Sequence, residues 1–448
     1  MENTPYHIDL DTCQRAIALA ARFGSAGQEA FAPQAFINLC QNRSNFQCAL
    51  IAALIAKRKT LLPPNAATGT QQDLAARYQA LILHDGNWTD TSVASLDVSK
   101  VSAVEDDEAQ AKVYGSLESI ADSFIAAIVH TSGSTGKPVA IEKTWRTLQL
   151  SSFYNKKEML GQFVPELIVA TVPAQHMWGF ETSVLIPLFS DIALHPGQPF
   201  FPHDIAQTLQ NACRNYGKVC LVSTPVHLRA LIQSGISLPK IDRILCATAP
   251  LDQALAKRCE ESLGCPLIEI YGCSEVGSIA NRRTAVEQTW QLFEQFTLAP
   301  QKGTTKADEY SINTSYLAEP VVLNDTLQVV EGTPLTFKLA GRRDDLIEIG
   351  GKKQRLSAIS AVALRHPSIT DAHCFLLPTD KSARPRVALA IETKDTSVTK
   401  TTLKAWLANY IDPLFVPKAI RLVPKLPREA NSKISKAALL ALFDSREL

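Results

Sequence analysis

The sequence carries almost no net charge, because 45 Lys and Arg residues balance 44 Asp and Glu residues to a formal charge of +1. A balance this close to zero argues against a chain that attracts a polyanion over its whole surface, so we expect no nucleic-acid partner. Long apolar runs are also missing. The longest, such as Ala49–Ala56, fall far short of the roughly 20 residues that a helix needs to cross a bilayer, so we expect no membrane span.

Paired cysteines are absent too. The 10 cysteines form no CxxC pair and are scattered along 448 residues, whereas disulfide scaffolds are short and dense in cysteine. This pattern is typical of buried thiols in a reducing compartment. The first residues lack the basic stretch and apolar stretch of a secretory signal, and we expect a cytoplasmic location. Internal repeats and low-complexity tracts are missing as well.

The chain does have the composition of a globular protein, with 46% hydrophobic and 20% charged residues. In its middle, apolar strand-like runs alternate with amphipathic helical patterns. The runs are SFIAAIVH (123–130), ELIVATVP (166–173), KVCLVST (218–224) and PLIEIY (266–271). This alternation predicts an α/β fold, with a parallel sheet and helices packed on its faces.

The pattern changes at Gly341–Asp345 (GRRDD), a charged run that follows an apolar segment. Beyond it lie shorter strand and helix patterns. We therefore predict a large N-terminal domain with helix-covered sheets over residues 1–340, and a small mobile α+β domain over residues 341–448. The second segment has 19 Lys and Arg against 11 Asp and Glu, a balance of 19 − 11 = +8. Either this is a solvated surface of chance composition, or the segment meets nucleotide phosphates or an acidic partner protein.

The segment Thr131–Pro138 (TSGSTGKP) directly follows a buried strand pattern. Glycines and short hydroxylated residues let backbone N–H groups approach an anion, so the segment predicts a phosphate-binding loop. It is not a P-loop of the form GxxxxGK[ST], because Thr131 stands in place of the first Gly and Pro138 in place of the last Ser or Thr. A polar surface hairpin is the alternative. The loop residues are Thr131, Ser132, Gly133, Ser134, Thr135, Gly136 and Lys137.

Together with three further segments in the same order, this loop resembles the adenylate-forming superfamily of acyl-CoA synthetases, aryl-acid ligases, adenylation domains and luciferases. The segments are Tyr271–Glu275 (YGCSE), Gly341–Asp345 (GRRDD) and Leu426–Lys436 (LPREANSKISK), which are similar to YGxTE, GRxDD and PRTxSGKIxR. The resemblance implies an ATP-dependent, AMP-forming ligase that needs Mg²⁺. It would convert a small carboxylic acid to an acyl-adenylate and then to a thioester.

The resemblance also implies roles for single residues in the first 340 positions. Ser274 would contact phosphate, and Glu275 would hold Mg²⁺ through a hard carboxylate oxygen. The turn ATAPL (247–251) is similar to GGAPL, which lies beside adenine and the substrate carboxylate. His176 matches a histidine that gates the acyl pocket, with a purely structural role as the alternative. The implied nucleotide-binding residues here, besides the loop, are Thr248, Ala249, Tyr271, Gly272, Ser274 and Asp325.

Asp325 is implied as a nucleotide contact, although the sequence has LND (323–325) where relatives have TGD. Further along, Arg342 would hold the ribose, Asp344 would be the hinge, and Lys353 would contact phosphate. Gly350 and Gly351 would line the thiol tunnel. Lys433 takes the position of the catalytic lysine, whose ammonium would offset charge between the carboxylate and the α-phosphate. Ser432 replaces the Gly before that lysine. We interpret Cys273 as a small buried thiol and not as a nucleophile.

The chain is short for this superfamily, and its N-terminal body is reduced. In this it resembles the ligases of bacterial aryl polyene and xanthomonadin pathways, which load aromatic or fatty acids onto acyl carrier protein. Our hypothesis is therefore an aryl acid and a carrier-protein acceptor, with CoA as the alternative acceptor. A catalytically silent adenylate-binding protein is a second alternative, permitted by Asn324 and Ser432. An amino-acid adenylation domain is a third, although no Asp that would pair with a substrate amine can be placed.

Overall fold

The computed structural model describes residues 6–24, 33–65, 67–131, 139–301, 309–330, 332, 335–342, 345–349, 352–377, 386–428, 434 and 436–443, with backbone only at 342, 346, 348, 352, 353 and 436. It divides into two compact units. Unit 1 comprises Met1–Thr297, Asn313–Val321 and Gly332–Thr336, and unit 2 comprises Leu298–Ile312, Val322–Glu331 and Phe337–Leu448.

The first sheet of unit 1 has the strand order β4–β3–β1–β2–β5–β6. Strands β1 to β5 are parallel, and β6 runs antiparallel to β5, with Thr131 opposite Val139. The predicted strand on each side of residues 132–138 is therefore present. The strands are β1 (Ala35–Asn38), β2 (Lys59–Leu62), β3 (Ala80–His84), β4 (Ser95–Asp97), β5 (Ile125–Thr131) and β6 (Val139–Thr144).

The second sheet contains the predicted parallel strands. Within unit 1 its order is β13–β12–β11–β10–β9–β7–β8. Strands β7 to β11 pair in parallel, and β12 and β13 extend the sheet in antiparallel fashion. The strands are β7 (Leu167–Ala170), β8 (Ala193–Leu194), β9 (Val219–Ser223), β10 (Arg243–Cys246), β11 (Leu267–Cys273), β12 (Gly277–Arg282) and β13 (Trp290–Leu292).

Helices cover these sheets, and their ends follow local sequence. The helix that begins at Pro225 has Thr224 as its N-cap, and the helix that ends at Leu263 is followed by Gly264 at a φ of 72°. A π-helical turn, Glu181–Leu185, joins two short helices. The helices are α1 (Leu10–Gly24), α2 (Arg43–Ile55), α3 (Thr68–Tyr78), α4 (Ala109–Glu118), α5 (Trp145–Leu160), α6 (Met177–Phe180), α7 (Ile186–Leu188), α8 (Pro202–Asn215), α9 (Pro225–Gln233) and α10 (Gln253–Leu263), with a 3₁₀ turn at Val98–Lys100.

Two of the apolar clusters in the core of unit 1 show how helices pack on its sheets. One lies among α1, α2, α4 and the first sheet and includes Phe46, Trp145 and Phe180, all fully buried. The other lies where α8, α9 and α10 pack on the second sheet, around Leu221 and Leu255. Near-continuous burial of the parallel strands explains why the sequence there has apolar runs and not alternation.

Unit 2 is α+β. Strand β21 pairs with β22 antiparallel, and β22 pairs with β23 in parallel. Helices α11 and α12 cover this sheet through Ile359, Leu403 and Leu407. The elements from residue 297 onward are β14 (Thr297–Pro300), β15 (Tyr310–Asn313), β16 (Val321–Val322), β17 (Asp325–Val330), β18 (Thr336–Arg342), β19 (Leu346–Ile349), β20 (Lys352–Arg355), α11 (Leu356–Leu364), β21 (Asp371–Leu377), β22 (Arg386–Glu392), α12 (Lys400–Ala408), a 3₁₀ turn (Pro413–Phe415), β23 (Ala419–Val423) and α13 (Lys436–Leu440).

The predicted α/β class, with a large first unit and a smaller α+β unit, is confirmed. The functional division at residue 341 stays a prediction. Over the described ranges, no helix combines the length and the apolar character that a membrane crossing requires.

Candidate active site

The carboxyl ends of parallel strands β7, β9, β10 and β11 meet at one edge of the second sheet. Ligands bind at such edges in open α/β sheets. Hydrogen bonds join the segments there: Thr171 Oγ1 lies 3.0 Å from Ser223 Oγ, and Trp178 Nε1 donates to the Ser223 carbonyl at 3.2 Å. The edge therefore gathers the segments that carry His176, Thr248 and Glu275.

A tight turn follows β11. Cys273 pairs with Gly277, so residues 274–276 alone connect β11 to β12. A Cβ added at Gly272 would lie 2.3 Å from the Gly277 carbonyl oxygen, so only glycine fits at that position. Ser274 is half-buried and the Glu275 side chain is exposed. The turn therefore presents a hydroxyl and a hard carboxylate oxygen from a closely packed backbone, a donor that suits Mg²⁺ when phosphate oxygens and water complete the shell.

The strand that leaves the predicted phosphate loop is bonded to this turn. Lys143, on β6, donates from Nζ to the Glu275 carbonyl oxygen at 2.7 Å. Thr131 and Val139 face each other across the hairpin, so both ends of the loop are held together. Ser132, Gly133, Ser134, Thr135, Gly136 and Lys137 lie outside the described residues.

The turn after β10 carries Thr248 and Ala249. Thr248 has a φ of 84°, which is rare for a β-branched residue and stores strain. The turn is held by β11, because the Leu251 N–H donates to Glu269 Oε1 at 3.2 Å. Glu269 is itself paired with Arg282 at 2.7 Å. The structure thus brings the turn that is predicted to lie beside adenine next to β11, the strand that leads to Glu275.

Tyr271 and His176 occupy different surroundings. The Tyr271 side chain is buried, and its ring centroid lies 5.7 Å from that of Trp290. His176 precedes α6, and its carbonyl accepts the Phe180 N–H at 2.7 Å. The roles beside adenine and at the acyl pocket stay predictions. Cys273, predicted to be buried, is half-buried. Desolvation raises the pKa of its thiol to about 12, a value that suits an unreactive thiol.

A buried pair of charges behind this edge was not anticipated from the sequence. Lys143 is 1% exposed and Glu181, at the start of the π-helical turn, is 2% exposed. The Ser278 hydroxyl donates to Glu181 Oε2 at 2.8 Å. Burial lowers the pKa of Lys143 and raises the pKa of Glu181, while their mutual attraction opposes both shifts. One signal was available: Glu181 is the only charged residue of positions 177–190.

Arg43 is a further buried charge that sequence patterns did not indicate. Its guanidinium donates to Ser183 Oγ at 3.0 Å, to the Ala170 carbonyl at 3.0 Å and to the carbonyls of Val172 and Gly197. Burial lowers the pKa of Arg43 to about 10, so the side chain stays charged near neutral pH. It joins the start of α2 to the carboxyl end of β7.

Three predicted nucleotide contacts lie in unit 2. Asp325 begins β17 and Arg342 ends β18, and Thr326 Oγ1 donates to the Gly341 carbonyl at 2.9 Å, so the two predicted residues lie on neighbouring strands. Arg355, which the sequence did not single out, donates to Thr326 Oγ1 at 3.3 Å. Lys353 lies on β20, where only the backbone is described.

The remaining predicted positions are Asp344, Gly350, Gly351 and Lys433, which lie outside the described residues. Their neighbours are anchored within unit 2. Asp345 accepts the Ser357 N–H at 2.8 Å, at the start of α11. Arg428 donates from Nε to Asp371 Oδ2 at 2.9 Å, which anchors the chain at Arg428. In the part of the chain that is described, no three His, Cys, Asp or Glu side chains group as metal ligands.

Comparison with known families decides the assignment. The family described as AMP-binding enzyme matches residues 44–305, and the AMP-binding enzyme C-terminal domain matches residues 358–433. The chain belongs to the AMP-binding enzyme family. The first match covers β5, β6 and the turn after β11, so the predicted membership of the adenylate-forming superfamily is confirmed.

Relatives of this AMP-binding enzyme include ligases of known name. Oxalate–CoA ligase from Arabidopsis thaliana is 23% identical over 443 residues, which cover 88% of this chain and 85% of that protein. 4-Chlorobenzoate–CoA ligase from an Arthrobacter species is 23% identical over 350 residues, which cover 70% of this chain and 65% of that protein.

Solved structures show the same fold. O-succinylbenzoate coenzyme A synthetase from Bacillus subtilis, in complex with ATP and magnesium ion, matches with a TM-score of 0.74 at 18% identity, over 94% of this chain and 91% of that chain. ATP-bound MatB from Rhodopseudomonas palustris matches with a TM-score of 0.76 at 15% identity, over 98% of this chain and 93% of that chain.

Proposed function

We propose that this AMP-binding enzyme is an AMP-forming ligase that activates a carboxylic acid with ATP and transfers the acyl group to a thiol. The observation that carries the proposal is the hydrogen bond from Lys143 to the Glu275 carbonyl. It joins the hairpin of the predicted phosphate loop to the turn that presents Ser274 and Glu275, at the carboxyl edge of the parallel strands. Relatives named as CoA ligases support the same chemistry.

In the first step a carboxylate oxygen would attack the α-phosphorus of ATP, and the bond from that phosphorus to pyrophosphate would break. Such phosphorus chemistry depends on positioning and on neutralisation of charge. Mg²⁺ held by Glu275 would neutralise phosphate oxygens. Ser274 and the Thr131–Lys137 loop would hold the phosphates, and Lys433 would stabilise the charge that develops between the acid and the α-phosphate. The predicted nucleoside contacts are Thr248, Ala249, Tyr271, Gly272, Asp325, Arg342 and Lys353.

In the second step the sulfur of a pantetheine thiol would attack the acyl carbon, and AMP would leave. The predicted division into residues 1–340 and 341–448 serves this step, with Asp344 as the hinge and Gly350 and Gly351 beside the thiol. His176 would border the acid. The cytoplasmic location stays a prediction. It would suit this step, because thiols are kept reduced in the cytosol.

The acceptor and the acid are the finer part of the proposal. The names of the relatives favour CoA. An acyl carrier protein is the second candidate, because residues 341–448 carry a net charge of 19 − 11 = +8 that would attract an acidic partner. We propose an aryl or acyl acid, as in aryl polyene biosynthesis. Purified enzyme given CoA and a phosphopantetheinylated carrier protein in equal amounts should form one thioester much faster, and mass spectrometry identifies which.

Pyrophosphate release from MgATP tests the first step. A panel of benzoates, cinnamates, graded fatty acids and amino acids should give release with one class only. Lys433→Ala should abolish release while ATP binding is retained, and Glu275→Gln should raise the Mg²⁺ concentration needed for half-maximal release. A folded protein that binds ATP but releases no pyrophosphate with any acid would contradict the ligase, and would favour the catalytically silent adenylate-binding protein.

A further inference from the structure

The turn between β11 and β12 is held from behind by two buried side chains from other elements. Lys143 comes from β6 and bonds to the backbone of Glu275 at 2.7 Å. Glu181 comes from the π-helical turn and accepts bonds from the Ser278 hydroxyl at 2.8 Å and from the Ser278 N–H at 3.4 Å. One side chain therefore fixes the middle of the turn, and the other fixes the second residue of β12.

The packing around Glu181 leaves the turn little freedom. Gly277 has a φ of 102°, and a Cβ added there would lie 2.3 Å from Glu181 Oε1. The carboxylate thus sits directly against the backbone of Gly277 and Ser278. A displacement of Glu181 would be transmitted to the turn.

Stability alone does not account for this arrangement. Desolvation of an ammonium and a carboxylate costs several kcal/mol, and well-packed apolar residues at such positions are often equally or more stabilising. A buried charge bonded to a main-chain carbonyl does something an apolar residue cannot, because it fixes the orientation of one peptide group. Here that peptide group is the one between Glu275 and Val276, directly beside the carboxylate proposed to hold the metal.

We propose that Lys143 and Glu181 are positioning residues that fix the Glu275 turn for binding of the metal–nucleotide complex. The inference rests on the proposed function. Neither side chain contacts ATP in this account. Both act through the backbone of residues 275–278, as outer-shell groups do around metal ligands, where loss of one weakens metal affinity about 10- to 100-fold.

The test separates an effect on the position of the Glu275 turn from an effect on the stability of the protein. Lys143→Met leaves Glu181 buried without its counter-charge and should unfold more easily. The double variant Lys143→Met/Glu181→Gln removes both charges at nearly constant volume and should regain the wild-type unfolding midpoint. Calorimetry then measures the affinity for ATP in the presence of Mn²⁺ and in the presence of EDTA. In the double variant the gain in ATP affinity from Mn²⁺ should fall about 10- to 100-fold, while affinity in EDTA changes little.

Arg283→Gln is the matched control. Arg283 lies just beyond β12 and donates to Glu260 at 2.8 and 3.0 Å, so its loss disturbs the same region without touching the turn. It should keep the wild-type gain from Mn²⁺. A double variant that also keeps that gain overturns the proposal. If the double variant does not fold, Glu181→Gln decides in the same way. Wild-type protein that binds no ATP would contradict the proposed function, and the inference would fall with it.

Discussion

Gly277→Ala should be among the most destabilising small substitutions in unit 1. Two costs add at this position. An alanine at positive φ costs about 1–2 kcal/mol, and the φ of Gly277 is 102°. The new methyl group would also lie 2.3 Å from Glu181 Oε1, which its bonds to Ser278 hold in place. Overpacking against a fixed group costs about 1–3 kcal/mol. We therefore expect the free energy of unfolding to fall by about 2–5 kcal/mol.

Gly86→Ala provides the matched control. Gly86 has a φ of 92°, and a Cβ added there would meet nothing within 4 Å. Only the backbone cost applies, about 1–2 kcal/mol. Urea unfolding followed by tryptophan fluorescence reports mainly on unit 1, because four of the five tryptophans lie in its residue ranges. Equal losses for the two variants would refute the reasoning, since the contact with Glu181 would then carry no cost.

Two further predictions concern single side chains. Burial lowers the pKa of His227 from 6.5 to about 4, so unfolded chains bind the proton first as pH falls. Stability should drop by about 3 kcal/mol as the pH falls from about 6.5 to about 4, and thermal melts of His227→Gln should show a flatter profile over that range. An unchanged profile would contradict a neutral buried His227. Thr248→Gly should relieve the strain of a φ of 84° and raise the free energy of unfolding by about 1 kcal/mol after the entropy of glycine is subtracted. The same variant should bind ATP more weakly in calorimetry, and tighter binding would contradict a role for the strained turn.

The parallel strands could be predicted because a strand that is buried on both faces is a nearly continuous run of apolar residues. KVCLVST predicted β9, and the helix that ends at Leu263 is followed by Gly264 in the left-handed region, as expected. Motifs also placed Ser274 and Glu275 at a strand end, because short glycine-rich turns have little freedom in sequence. Local chemistry determines these features, so local patterns reveal them.

The burial of Lys143 and Arg43 could not be predicted, since the partners of these two side chains are distant along the chain. Lys143 lies 132 positions from Glu275, and Arg43 lies 140 positions from Ser183. A lysine in a short strand next to a polar loop has the pattern of an exposed residue, and only tertiary packing buries it. The same applies to Arg355, whose contact with Thr326 joins strands that the sequence alone does not pair.

Arg43 has a consequence for engineering the acid preference proposed for this protein. Three of its four acceptors are main-chain carbonyls, at Ala170, Val172 and Gly197. These three hydrogen bonds depend on the path of the backbone and not on the side chains of the residues that accept them. A mutational library aimed at the proposed acid site can therefore vary His176 while position 43 is kept as arginine. The proposed border of that site would then change its chemistry while the backbone at Ala170 and Val172 keeps its path.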